Sequence, residues 1–213
     1  METINMKTIL FTGDSITDVG RSRENNNNLG HGYPTLVTAA LGFEFPNQYK
    51  MFNRGISGNR IVDLYARVKM DCINLEPDVM SILIGVNDVW HEFDYNNGVE
   101  PEKFFNVYSM MIEEIKTALP NIKIMIMEPF VLNGPATVVN WNQFYSEVRL
   151  RAEKAKAIAK KYDLVYIPLQ EKFDAAAKIA PNTFWLEDGV HPTTAGHELI
   201  KREWLNAFLQ EDR

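Results

Sequence analysis

A hydroxyl, an imidazole and a carboxylate are the parts of a nucleophilic triad, and this chain offers one of each at suggestive positions. Ser15 stands in Gly13-Asp14-Ser15 at the exit of an apolar run, while Asp188 and His191 lie three residues apart in Asp188-Gly189-Val190-His191-Pro192. A serine hydroxyl is a weak nucleophile at its free pKa; it needs a base, and the base needs a partner that fixes its tautomer. Ser15 is therefore the candidate nucleophile, His191 the general base and Asp188 its orienter. Asp188 can reach one imidazole nitrogen across a turn, and Pro192 holds the backbone of His191 near extended geometry. Each residue also has an ordinary reading. Ser15 could cap a helix, a lone histidine could be structural, and Asp188-Gly189 could be a turn before helix entry at Thr193 or Thr194. The two segments lie at opposite ends of the chain, so only a fold that brings both ends to one edge makes them a site.

Acyl transfer through a tetrahedral intermediate also needs N–H donors for the oxyanion, each worth on the order of 3 kcal/mol of barrier. Gly58 can bring a bare backbone N–H close to a substrate, and Asn87 carries a side-chain amide. As ordinary turn residues each has a simpler explanation, but both follow candidate strands. Trp90, Phe93, Tyr95 and Trp185 flank the catalytic segments. Of these, Trp90 and Trp185 are candidate substrate contacts, for the C–H face of a sugar or for an acyl chain, with core or interface packing as the alternative. Asp14 is a third candidate substrate contact, and its carboxylate would repel a phosphate.

The elements that must position these residues alternate along the chain. Compact apolar runs predict strands at Thr8–Phe11, Tyr49–Asn53, Val79–Ile84, Lys123–Met127 and Leu164–Ile167, as expected where both sheet faces are covered. Helical patterns lie between and after them, at Pro34–Leu41, Arg60–Cys72, Pro101–Leu119, Asn140–Tyr162 and Thr194–Leu209. Alternating strands and helices imply right-handed crossovers, and hence an α/β three-layer sandwich around a five-stranded parallel sheet. Ligands gather at the carboxyl ends of such strands, and every segment singled out above follows a strand. An irregular stretch, Leu132 to Val139, is a candidate lid or subunit contact.

The 213 residues suit a single domain over 1–213, and a 46% hydrophobic content supplies a sizeable core. A net charge of -6 argues against nucleic acid and against an anionic membrane surface as partners. The one cysteine, Cys72, permits no intramolecular disulfide and is expected to be a buried helix residue. Four scattered histidines, among them His31, His91 and a structural His197, show no metal-ligand spacing, so no metal is expected. The amino-terminal residues lack a signal-peptide pattern, and the expected location is cytoplasmic.

Taken in order, Gly13-Asp14-Ser15, Gly58, Gly85-Val86-Asn87-Asp88 and Asp188-Gly189-Val190-His191-Pro192 resemble the sequence blocks of the SGNH (GDSL) hydrolases. The match spans nearly the whole chain, with Ile16 where the family name has leucine. The resemblance implies a flavodoxin-like sheet, a Ser15–His191–Asp188 triad, and an oxyanion hole from the N–H groups of Ser15 and Gly58 with the amide of Asn87. Longer matches, such as Gly55-Ile56-Ser57-Gly58-Asn59 and Ala195-Gly196-His197, resemble the acetylxylan-esterase-like branch. That implies an esterase acting on a small acetylated carbohydrate through an acetyl-Ser15 intermediate, without a cofactor, in a homo-oligomer. Two alternatives stay open: a lysophospholipase or thioesterase for longer acyl chains, and a non-catalytic sugar- or nucleotide-binding module.

Overall fold

The computed structural model describes residues 6–211. Five parallel strands form one sheet: β1 (Lys7–Gly13), β2 (Tyr49–Asn53), β3 (Val79–Leu83), β4 (Lys123–Met127) and β5 (Val165–Ile167), in the spatial order β2-β1-β3-β4-β5. The order reverses beside β1. The chain leaves β1 toward β2 and then returns across it to β3, which opens the crevice where α/β sheets place their ligands. The register is continuous: Gly13 pairs with Leu83, and Leu83 with Met127, so three strands end level with one another.

Ten α-helices flank the sheet among the described residues: α1 (Ser15–Asp18), α2 (Tyr33–Glu44), α3 (Ile61–Ala66), α4 (Val68–Asp71), α5 (Val86–Tyr95), α6 (Pro101–Ala118), α7 (Trp141–Tyr162), α8 (Gln170–Ala176), α9 (Asn182–Trp185) and α10 (Thr194–Glu211). Successive strand residues point to opposite faces, and the two cores divide accordingly. Ile9 and Phe11 join Val37 and Leu41 of α2 with Ile200 and Trp204 of α10. Leu10, Met80 and Ile82 join Leu64 of α3, Tyr108 and Ile112 of α6, and Ile158 of α7. Burial of each such large apolar side chain contributes roughly 1.5–3 kcal/mol.

The predicted strands are all present. The expected helix Arg60–Cys72 is broken at Arg67 (φ -114°, ψ 6°), which divides it into α3 and α4. Cys72 is buried and free, but it follows α4 instead of lying inside a helix. The helices α5 and α8 were not anticipated. In α5 the apolar residues Val86, Val89, Trp90 and Phe93 follow the i, i+3, i+4, i+7 spacing and pack on the core, while the polar Asn87 and Asp88 are buried beside them. No helix among the described residues is long and apolar enough to cross a membrane.

Candidate active site

Ser15 is the first residue of α1, a single turn entered directly from β1. Asp14 caps that turn: its Oδ1 accepts the N–H of Ile16 at 2.9 Å, and its carbonyl accepts those of Thr17 (3.2 Å) and Asp18 (2.9 Å). Four residues are too few to hold a helix by themselves. Here Ile16, Thr17 and Asp18 are buried, and Thr17 Oγ1 meets the Tyr33 hydroxyl at 3.0 Å. Ser15 alone of the turn remains half-exposed, and its N–H lies in a first turn, which has no intrahelical acceptor.

The loop after β2 is tied to this turn by two side chains. Asn53 donates from Nδ2 to the carbonyls of Thr17 (2.6 Å) and Leu29 (2.8 Å), and its Oδ1 accepts the N–H of Gly55 (2.8 Å). Asp18 accepts from the N–H of Ser57 (3.0 Å) and from its hydroxyl (3.2 Å), and pairs with Arg23 at 2.6 Å. Burial pushes the Asp18 carboxyl up, but Arg23 and Ser57 outweigh it and hold it below the ordinary range. A turn closed by Asn59 N–H on the Ile56 carbonyl follows, with Gly58 at its third position and φ at +80°. A side chain there would be strained, and that turn's own hydrogen bond does not use the Gly58 N–H. The third candidate donor is bound into the same assembly: Asn87 Nδ2 donates to the Asn59 carbonyl at 3.1 Å, which leaves its second amide hydrogen for a substrate.

The opposite wall is the segment from Leu186 to Pro192, closed by an antiparallel bridge between those two residues. Asp188 uses both carboxylate oxygens. Oδ1 accepts the N–H groups of Val190 and His191, each at 2.8 Å, and Oδ2 lies 2.7 Å from His191 Nδ1. The other ring nitrogen, Nε2, is 2.9 Å from Ser15 Oγ. Burial raises the Asp188 carboxyl, but the His191 ring and the two N–H groups pull it down to about 2. An ionised Asp188 can only accept, so Nδ1 carries the ring proton and Nε2 presents its lone pair to the serine hydroxyl. The same contact raises the His191 pKa above its ordinary value, against the opposing effect of burial.

The stretch from Leu132 braces this wall. Leu132 N–H donates to the Gly189 carbonyl (2.8 Å), Ala136 N–H to that of Asp188 (2.9 Å), and the buried Thr137 hydroxyl to that of Leu132 (2.9 Å). Gly134 and Gly189 touch backbone to backbone: a Cβ on Gly134 would stand 2.5 Å from the Gly189 nitrogen.

Among the sequence candidates, Ser15, His191 and Asp188 are joined by the hydrogen bonds above, and Asn87 is bonded to the loop that carries Gly58. Trp90 also reaches the site, its ring centroid 5.8 Å from that of His191 and its edge against Phe144. Two expected substrate contacts are corrected. Asp14 is 1% exposed, turned inward by its bond to Ile16, so no substrate reaches its carboxylate. Trp185 lies at the end of α9 with its indole N–H buried, lining a separate groove with Phe184 and Leu199 that includes none of the triad residues. His31 is exposed, and His91 lies beside Gly58. His197 is buried at the start of α2, where Nδ1 accepts the Tyr33 N–H at 3.2 Å. Sequence reasoning missed Asn53, Asp18 and Thr137 as positioning residues. An amide closing an apolar strand was the available signal for Asn53.

The fold and the site's geometry are those of an α/β hydrolytic enzyme. Residues 11–199 match the model of the GDSL-like lipase/acylhydrolase family. The chain is 32% identical over 210 residues to an acetylxylan esterase of Geobacillus stearothermophilus, covering 95% of this chain and 92% of that protein. A solved structure of an acetylxylan esterase from the same organism superposes with a TM-score of 0.85 at 31% identity, covering 96% of this chain and 95% of the other. A GDSL-like protein of Parabacteroides merdae superposes with a TM-score of 0.88 at 38% identity, covering 96% of this chain and 97% of the other. The chain belongs to the GDSL-like lipase/acylhydrolase family and is a carboxylic ester hydrolase.

Proposed function

We propose that this protein is a serine acetylesterase that removes O-acetyl groups from acetylated sugars or xylo-oligosaccharides. The observation that carries the mechanism is the unbroken contact from Ser15 Oγ to His191 Nε2 (2.9 Å) and from His191 Nδ1 to Asp188 Oδ2 (2.7 Å). Ser15 Oγ attacks the acetyl carbonyl carbon while its proton passes to His191 Nε2. Asp188 stabilises the resulting imidazolium without itself taking the proton. The oxyanion forms where the N–H groups of Ser15 and Gly58 and the Asn87 amide can donate to it. Collapse breaks the ester bond, and His191 returns the proton to the sugar oxygen. Water, deprotonated by the same ring, then attacks acetyl-Ser15; the bond to Ser15 Oγ breaks, acetate leaves, and His191 returns the proton to Ser15 Oγ. Each step uses only side chains, backbone N–H groups and water.

The sugar assignment is supported by the likeness to an acetylxylan esterase and by Trp90, an aromatic face beside the base. Acetate release from acetylated xylo-oligosaccharides, set against nitrophenyl acetate, octanoate and palmitate and against lysophospholipid, tests it. Preference for acetyl esters of the oligosaccharides is expected. Preference for octanoate, palmitate or lysophospholipid would replace the reading with a long-chain acyl hydrolase.

A further inference from the structure

The face of α5 that carries Asn87 continues beyond the triad. Helix residues three and four apart share a face, so Trp90 and His91 follow Asn87 on one side, and Tyr95 follows His91 a turn later. Exposure rises along that line: Asn87 is buried, Trp90 and His91 are half-buried, and Tyr95 is 70% exposed. The line runs from an oxyanion donor out to solvent and touches both walls of the site. Trp90 stands on the base side, its ring centroid 5.8 Å from that of His191. His91 stands on the loop side, its Nε2 4.0 Å from where a Cβ on Gly58 would lie. The His91 ring makes no hydrogen bond among the described residues; Tyr95 meets it at 89°, with centroids 5.5 Å apart. Burial and the Arg60 charge hold the His91 pKa below its ordinary value, against Asp63 and Asp94. The ring is therefore neutral at pH 7, with one nitrogen to donate and the other to accept. A sugar hydroxyl, itself a donor and an acceptor, is matched by such a ring; an alkyl chain is not.

We propose that His91 and Tyr95 form a sugar subsite: His91 hydrogen-bonds a hydroxyl of the sugar that bears the acetyl ester, and Tyr95 packs on the next sugar unit of an oligosaccharide. The leaving oxygen must sit by His191 Nε2 while the carbonyl oxygen faces Asn87 and Gly58, so the sugar lies over α5 between Trp90 and His91. Rings with an apolar body and a polar tip suit a ligand with C–H faces and hydroxyl edges. The subsite makes oligosaccharides better substrates than single acetylated sugars. This inference rests on the acetylated-sugar reading above.

Ratios between substrates test it, because damage to the catalytic groups slows every ester together while loss of a sugar contact does not. In His91→Ala, kcat/KM for acetylated xylotriose relative to that for nitrophenyl acetate is expected to fall about tenfold, mainly through KM, as for one hydrogen bond. In Tyr95→Ala, kcat/KM for acetylated xylotriose relative to that for acetylated xylose should fall about fivefold, as for one aromatic contact. Neither residue is buried, so both variants are expected to fold. An unmoved ratio in His91→Ala, whether the two rates hold or fall together, overturns the role of His91. An unmoved ratio in Tyr95→Ala overturns that of Tyr95. The wild type is run alongside. If it releases no acetate from either acetylated sugar, the sugar reading falls and this inference with it; if it releases acetate and both variant ratios stay put, only this inference falls.

Discussion

The two halves of the site are built differently. The nucleophile half is an extension of the core. Ser15 rides on a turn whose other residues are buried, and Asn53 and Asp18 stitch that turn to the loop carrying Gly58. The base half is a surface turn. The side chains of His191 and Asp188 keep 41% and 28% of their exposure, and the turn is shaped by Asp188's own hydrogen bonds and a brace from Leu132 to Thr137. A group buried in the core cannot be altered without loss of stability, whereas a group in an exposed turn can be. Activity and stability should therefore be coupled for the buried residues that hold Ser15 in place, and separable in the second half.

The largest effect expected is common to both halves. Ser15→Ala and His191→Ala should each lower kcat by at least about 10⁴-fold, since triad members act as a unit. Labelling by a fluorophosphonate should vanish in Ser15→Ala. Retained labelling would place the nucleophile elsewhere. Thermal unfolding of both variants should stay close to wild type, because neither residue is buried.

Removing a donor is a step smaller. Asn87→Ala should lower kcat by about 10²–10³-fold with little change in KM, as for other oxyanion donors. A loss confined to KM would assign Asn87 to ground-state binding instead. The contrast between the halves is sharpest in Asn53→Ala. Truncation leaves the Thr17 and Leu29 carbonyls and the Gly55 N–H without partners, and a cost of about 2–4 kcal/mol is expected along with reduced activity. Thr137→Val, in the brace of the base half, should cost less in denaturant unfolding. Equal costs would erase the distinction.

Two histidines six residues apart sharpen it further through pH. His191 titrates above the ordinary value of about 6.5, so the acid limb of kcat/KM should have its midpoint above that pH. A flat rate from pH 5 to 8 would contradict a histidine base. Its raised pKa also means that its contribution to stability is present below about pH 6.5 and is lost as pH rises through the folded value. His197 has the opposite sign. Burial, with a smaller effect from His191, lowers its pKa to about 4, so the folded state excludes a proton that the unfolded chain accepts. Its contribution, about 3 kcal/mol, is present above about pH 6.5 and is lost as pH falls to about 4. His197→Gln, which retains an acceptor for Tyr33, should flatten the stability profile in that window without moving the acid limb by more than a few tenths of a pH unit. Each limb should follow its own histidine.

Much of this molecule was legible in the residues alone. The five apolar runs specify strands because a parallel strand is covered on both faces and so reads as a continuous run. Asp188, Gly189, His191 and Pro192 specify their own turn, since its hydrogen bonds span at most three residues. The helix α5 carries an apolar stripe of Val86, Val89, Trp90 and Phe93, but Asn87 and Asp88 at its start read as a turn after a strand. Only the tertiary structure decided which residues meet. Ser15 and His191 are 176 positions apart, and their contact exists because the sheet order brings both chain ends to one edge. It decided equally that Trp90 lies beside the base while Trp185 faces another groove, and that Asp14 is turned inward. Side-chain direction at the end of an element depends on packing from distant segments, which local spacing does not encode.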